Sequence, residues 1–138
     1  MPLPVEDHLA ILNLAYRYAQ AFDFIQPDDY ADCFTPDGVF DARPVGLFEG
    51  HDALRAFSAG AGTIGGDTGS RHWMGNPVIE GDGDEASMTT MLMMVNTGAA
   101  SSTGVTGVYR DKLVKVDGEW KIKHRHLTFE EPPEGYEE

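Results

Sequence analysis

The sequence predicts an α+β domain in which helices come first and a long antiparallel meander follows. Three observations carry the prediction. Apolar residues recur at spacings of three and four from Leu9 to Phe22, the period of a helix. From His72 onward the chain breaks into four runs of about ten residues with the alternation of strands. Gly- and Asp-rich pairs punctuate those runs where hairpins would turn.

Taken in order, Leu9, Leu12, Tyr16 and Ala19 form one helical row, and Ile11, Ala15, Tyr18 and Phe22 form a second. Two adjacent apolar rows predict a largely buried helix. Pro27 followed by Asp28 and Asp29 starts another helix, because proline tolerates the first turn and acids complement the dipole. That helix is short, and Thr35-Pro36-Asp37-Gly38 reads as a turn. Val39-Phe40-Asp41 and Leu47-Phe48-Glu49 make a small strand pair, and His51 to Ser58 a third helix with Ala53, Leu54 and Phe57 on its apolar side. Residues 60–70 contain five glycines, which forbid a stable helix and predict a mobile loop. No Gly-Lys-Ser/Thr follows them, so this is not a phosphate loop. The long strands run from His72 to Glu80, Ala86 to Thr97, Gly104 to Val116 and Glu119 to Phe129. Residues 81–84 and Asp117-Gly118 join them as hairpins, with a looser turn at 98–103. Such a sheet must curl around the helices to bury their apolar faces.

A chain of 138 residues has room for one core, assigned to residues 1–130; residues 131–138 read as an acidic, solvated tail. The net charge of -13 repels phosphate backbones and anionic lipid, so neither nucleic acid nor a membrane surface is expected as a partner. Cys33 is the only cysteine, which leaves no intramolecular disulfide and no zinc-ribbon spacing. The first residues lack the basic and apolar regions of a secretory signal, and cytoplasm is the expected location.

Asp23 and His72 stand out chemically. Asp23 lies between Phe22 and Phe24 at the end of an apolar stretch, where a carboxylate is costly to bury without a partner. His72 opens the first long strand just beyond the glycine-rich segment, and an imidazole can take and return a proton near neutrality. Each alone has an ordinary alternative: a turn aspartate in water, or a solvated histidine. His124 and His126 share a strand face, but no carboxylate or thiol lies at a telling spacing, and no metal is expected. Met88, Met91, Met93 and Met94 alternate across both faces of a strand, and those on a concave face would give a deformable apolar wall.

Several of these pieces, in order, resemble the SnoaL-like (NTF2-like) domain pattern. They are Ile11-x-x-Leu14 with Tyr18 and Asp23; Phe34-Thr35-Pro36-Asp37-Gly38-Val39-Phe40; Gly50; Arg71-His72-x-x-x-Asn76; Tyr109-Arg110-Asp111; and Asp117-Gly118-Glu119-Trp120-Lys121-Ile122 with Arg125. The resemblance covers residues 5 to 129, nearly the whole chain. It implies a cone: N-terminal helices packed in a strongly curved, mixed but mainly antiparallel sheet that encloses an apolar cavity. Within the superfamily the residues look like the branch of scytalone dehydratase, bile acid 7α-dehydratase and hexachlorocyclohexane dehydrochlorinase, which pair a helix Asp with a strand His. The resemblance therefore implies Asp23, His72, Tyr18 and Arg125 as catalytic residues. The bile acid enzyme also has Tyr at the position matching Tyr18. The dehydrochlorinase has Lys there, which makes halide elimination the poorer match.

Candidate pocket residues are Tyr16, Phe40, Phe57, Trp73, Met91, Met93, His124 and His126. Two points of geometry bear on the mapping. Residues five apart on a helix lie about 140° apart, so Tyr18 and Asp23 do not share a face of a regular helix. Strict alternation from Trp120 puts His124 and His126 on its face, so Arg125 needs a bulge or a reversed face to point inward. The implied activity is that of a cofactor-independent lyase or isomerase acting on an apolar cyclic or carbonyl-containing small molecule. Its alternatives are a polyketide cyclase closing a ring by aldol chemistry, and a non-catalytic binding or structural subunit such as a dioxygenase β subunit. A homodimer or homotrimer is the implied assembly.

Overall fold

The computed structural model describes residues 2–61, 67–98, 100–133 and 135–136. In chain order the elements are α1 (Val5–Asp23), α2 (Pro27–Asp32), β1 (Phe34–Asp41), β2 (Leu47–Glu49), α3 (His51–Gly60), β3 (Ser70–Asp82), β4 (Glu85–Asn96), β5 (Ser102–Val116) and β6 (Glu119–Phe129). The six strands form one sheet in the order β2-β1-β6-β5-β4-β3. Every neighbouring pair is antiparallel except β1 and β6, which run parallel. The sheet curls around the helices without closing, which is the mixed α+β architecture that the sequence predicts. Of the segment read as a mobile loop, residues 62–66 lie outside the described residues. No helix among the described residues is long and apolar enough to cross a membrane.

Helix α1 lies in the concave face with Ile11, Leu14, Ala15, Tyr18 and Ala21 buried. Leu9 and Tyr16 are 61% and 49% exposed, so the helix has one buried face rather than being largely buried. The physical reason is that the sheet covers only one side of it. At its start, Asp7 accepts hydrogen bonds from the Trp120 indole at 3.0 Å and the Lys115 ammonium at 3.1 Å. These bonds, Trp120 foremost, hold its carboxyl below the usual range and clasp α1 to β5 and β6.

Four register shifts interrupt the strands, one of them between β4 and β5 at Met93/Val95, and the other three bear on the candidate site residues. Between Phe34↔Ile122 and Val39↔His124, β1 spends five residues where β6 spends two. The turn chemistry of Thr35-Pro36-Asp37-Gly38 thus ends as a bulge inside β1, because pairing with β6 carries the strand through it. In β3, the step from Gly75↔Met91 to Val78↔Thr89 takes three residues against two, with Asn76 at φ 53°. In β6, the step from Leu113↔Ile122 to Lys112↔His124 inserts Lys123. Each single insertion moves all the residues beyond it to the other face. His72 is thereby set opposite Met94, and Arg125 opposite Asp111.

Candidate active site

Asp23 is the last residue of α1, and β3 is an edge strand whose outer backbone groups have no strand to pair with. The carboxylate fills that gap. Its Oδ2 accepts the backbone N–H of His72 at 2.9 Å, and its Oδ1 lies 2.6 Å from His72 Nδ1. A carboxylate only accepts, so Nδ1 carries the hydrogen and the ring is held in one tautomer. Both side chains are almost wholly buried, 5% exposed for His72 and 4% for Asp23. Nearby, the Asp23 carbonyl accepts the Thr68 N–H at 3.0 Å, while Arg71 forks onto Asp67 and stacks over the Phe24 ring. The end of α1 and the start of β3 are therefore tied at several points around the pair.

The imidazole packs edge-on against Phe22 and Tyr18, at ring-centroid distances of 5.3 and 6.0 Å. Nε2 is the ring nitrogen that Asp23 leaves free. His72 borders an outer groove lined by Tyr16 and Trp73 on one side and an apolar cavity of about 190 Å³ on the other. The helices contribute Tyr18, Phe22 and Phe57 to its wall, and the segment from β1 to its hairpin gives Phe40, Ala42 and Val45. From the sheet come Leu92, Met94, Val105, Tyr109, Leu127 and Phe129, and Pro133 reaches in from beyond β6. Glu130 donates its N–H to Thr106 at 3.0 Å, which fixes the start of that final segment. The tail is thus not wholly solvated: its first residues fold against the mouth of the cavity.

Tyr18 is 1% exposed and accepts a hydrogen bond from the Tyr30 hydroxyl at 3.3 Å. Burial raises its pKa, the nearby Arg125 charge only partly offsetting the effect, so at neutral pH Tyr18 is a phenol with a hydrogen to give. Arg125 lies behind this layer, 4.3 Å from the Tyr18 ring and 4.1 Å from the Tyr109 ring, with no exposure. Its Nε and Nη2 fork onto Asp111 at 2.7 Å each. Burial alone would lower the guanidinium's pKa; the Asp111 charge and hydrogen bonds outweigh it and raise it.

The structure therefore brings Asp23, His72 and Tyr18 together, with Phe40 and Phe57 on the cavity wall. Tyr18 and Asp23 do point different ways from α1, and His72 spans the gap between them. Arg125 turns inward through the Lys123 bulge but does not border the cavity, because the two tyrosine rings cover it. The other six pocket candidates need correction. Trp73, Met91 and Met93 face outward and are 61%, 42% and 42% exposed. Without its bulge β3 would pair His72 with residue 95 and keep Trp73 on the inner face; the Asn76 insertion turns His72 inward and Trp73 outward. Met91 and Met93 face outward because β4 alternates, with Met88, Thr90 and Leu92 buried. Tyr16 and Trp73 line an outer groove on the solvent side of the Asp23–His72 pair. His124 and His126 face outward because of the Lys123 insertion. Leu92, Met94 and Tyr109 were not anticipated as wall residues; for the facing of Trp73, Gly75-Asn76-Pro77 carried the signal, because a proline in mid-strand after an asparagine marks a bulge.

Residues 4–126 match the family described as the SnoaL-like domain. The chain belongs to that family. An uncharacterized protein of Mycobacterium tuberculosis (strain H37Rv) is 29% identical to this SnoaL-like domain over 128 residues, covering 90% of this chain and 86% of that protein. Among solved structures, a Nostoc punctiforme protein of unknown function with a cystatin-like fold superposes with a TM-score of 0.87 at 26% identity, covering 97% of this chain and 98% of the other. A candidate scytalone dehydratase from Novosphingobium aromaticivorans gives a TM-score of 0.79 at 24% identity over 97% of each chain, a likeness of fold.

Proposed function

We propose that this SnoaL-like domain is a cofactor-independent lyase or isomerase in which His72 is the general base and Asp23 fixes and supports it. The observation that carries the reading is the 2.6 Å contact of Asp23 with Nδ1, which leaves Nε2 free on a residue that lines an apolar cavity. In the proposed step, Nε2 takes a proton from a carbon next to a carbonyl, and Asp23 stabilises the imidazolium that forms. The electron pair left on carbon moves toward the carbonyl oxygen, where the Tyr18 phenol donates a hydrogen bond. Collapse then expels a hydroxyl group from the β-carbon, which leaves as water on taking the proton back from His72. If the proton returns instead to another carbon, the product is an isomer.

General base catalysis of this kind contributes roughly 10²–10⁴-fold, and a preorganised donor such as Tyr18 adds about 3–4 kcal/mol. The volume narrows the substrate. A cavity of about 150 Å³ holds one benzene ring, so about 190 Å³ favours a single ring with small substituents. Asp23→Asn and His72→Ala, assayed with a pool of cyclic β-hydroxy ketones, should each lose 10²-fold or more in turnover with near-native circular dichroism. Near-wild-type turnover in either variant removes the mechanism. A poly-β-ketone ester in the same assay would reveal ring closure by its product, the aldol chemistry of a cyclase using the same base.

A further inference from the structure

The outer face of the sheet carries a second convergence of polar groups, on the opposite side from the Asp111–Arg125 pair. Two cross-strand rows run over β4, β5 and β6: Thr89–Arg110–His126 and Ser87–Lys112–His124. These six side chains border a shallow depression of about 380 Å³. Neighbouring strands lie about 4.8 Å apart and alternate residues about 6.8 Å apart. The two cations and two imidazoles therefore sit near the corners of a rectangle of about 5 by 7 Å, with a hydroxyl beside each row.

The charge state of the rest of the chain makes this patch unusual. The protein has 23 acidic residues against 10 Lys and Arg. Arg43, Arg55, Arg71, Lys115, Lys121 and Arg125 each hold a carboxylate. Arg17 and Lys123, like Arg110 and Lys112, form no ion pair among the described residues, and only the last two stand together on one strand face. Among the described residues, no carboxylate lies within ion-pair distance of Arg110, Lys112, His124 or His126. The ladder acids next to the rows are Asp41, opposite His126 on β1 with both oxygens taken by Arg43, and Glu80, opposite Ser87 on β3. Arg110 and Lys112 thus share one strand face without an ion-pair partner among the described residues.

We propose that this depression binds a small oxyanion of the phosphate class, free or as the ester handle of a small molecule. The Arg110 guanidinium supplies a planar fork suited to two phosphate oxygens, and Lys112 a point charge for a third. The imidazoles and the Ser87 and Thr89 hydroxyls furnish further donors around it. The site is independent of the acid–base reading, since Asp23 and His72 lie at another strand and on the other face.

The test is isothermal titration of the whole protein with inorganic phosphate at constant ionic strength, chloride serving as the compensating anion, and with glycerol phosphate as a second arm. Saturable binding of one equivalent is expected. Arg110→Ala with Lys112→Ala should weaken it at least tenfold, whereas Lys121→Ala should leave it unchanged. Tighter binding of glycerol phosphate would identify the ester as the source, and equal binding the free ion. Absence of saturable heat, or wild-type affinity in the double variant, overturns the proposal. So does a wild-type dimer that the double variant dissociates in sedimentation velocity while phosphate has no effect, because the face would then belong to a second copy.

Discussion

At the cavity wall Asp23 holds His72; deeper in the same concave face Asp111 holds Arg125. Both pairs are buried, both are short, and both join a carboxylate to a nitrogen heterocation or its precursor. They differ in what is left over. The guanidinium keeps its proton at any accessible pH and has two tyrosine rings packed against it, so it can only support what lies above it. The imidazole has one nitrogen engaged and the other free, on a residue that lines a cavity. Burial alone therefore does not distinguish the two pairs; the unengaged nitrogen of a cavity-lining residue does.

This contrast can be broken or sharpened experimentally. The largest effect on stability is expected for Asp111→Ala, which strands a buried guanidinium and should cost about 3–5 kcal/mol in urea unfolding. Replacing both partners, Asp111→Leu with Arg125→Met, should recover most of that loss. A double variant as unstable as the single one would mean that the pair itself, not its balance of charge, holds the floor together. Next comes Tyr18→Phe, which removes the phenol hydrogen but keeps the ring under Arg125. Turnover should fall by about 10²-fold or more while the melting temperature stays close to that of the wild type. Unchanged turnover would demote Tyr18 to a packing residue.

The smallest effect belongs to pairs nearer the surface. Hydrogen bonds from Arg43 lower the pKa of Asp41 to about 2, and those from Arg71 do the same for Asp67. A carboxyl depressed on folding stabilises the native state above its unfolded value of about 3.9 and loses that contribution as pH falls toward 2. Urea midpoints measured between pH 5 and pH 2 should therefore drop on the acid side, and Asp41→Asn should make the drop shallower. An identical slope in the variant would show that other carboxyls dominate.

Much of the architecture was legible because local signals agreed with one another. The helical rows of α1, proline at the start of α2 and the Asp117-Gly118 hairpin all recur in the structure at their predicted places. Asp23 and His72 were legible through their residue types and the family resemblance. The wall of the cavity was not, because side-chain facing depends on register, and one inserted residue reverses it. At Asn76 the insertion had a visible cause in the proline that follows. At Lys123 the run Lys121-Ile122-Lys123-His124 has no proline, glycine or asparagine to mark it. There the pairing of Arg125 with Asp111 across the sheet decides the register, a contact between strands that no local pattern records.

The two tryptophans give this protein a pair of optical reporters with separate duties. Trp73 is 61% exposed next to His72, while Trp120 is 3% exposed and bonded to Asp7. Iodide should quench the first and spare the second, splitting the emission into a red-shifted and a blue-shifted component. With Trp73→Phe, the remaining fluorescence follows the α1 clasp through denaturation; with Trp120→Phe, it monitors the surface beside the imidazole in the folded state.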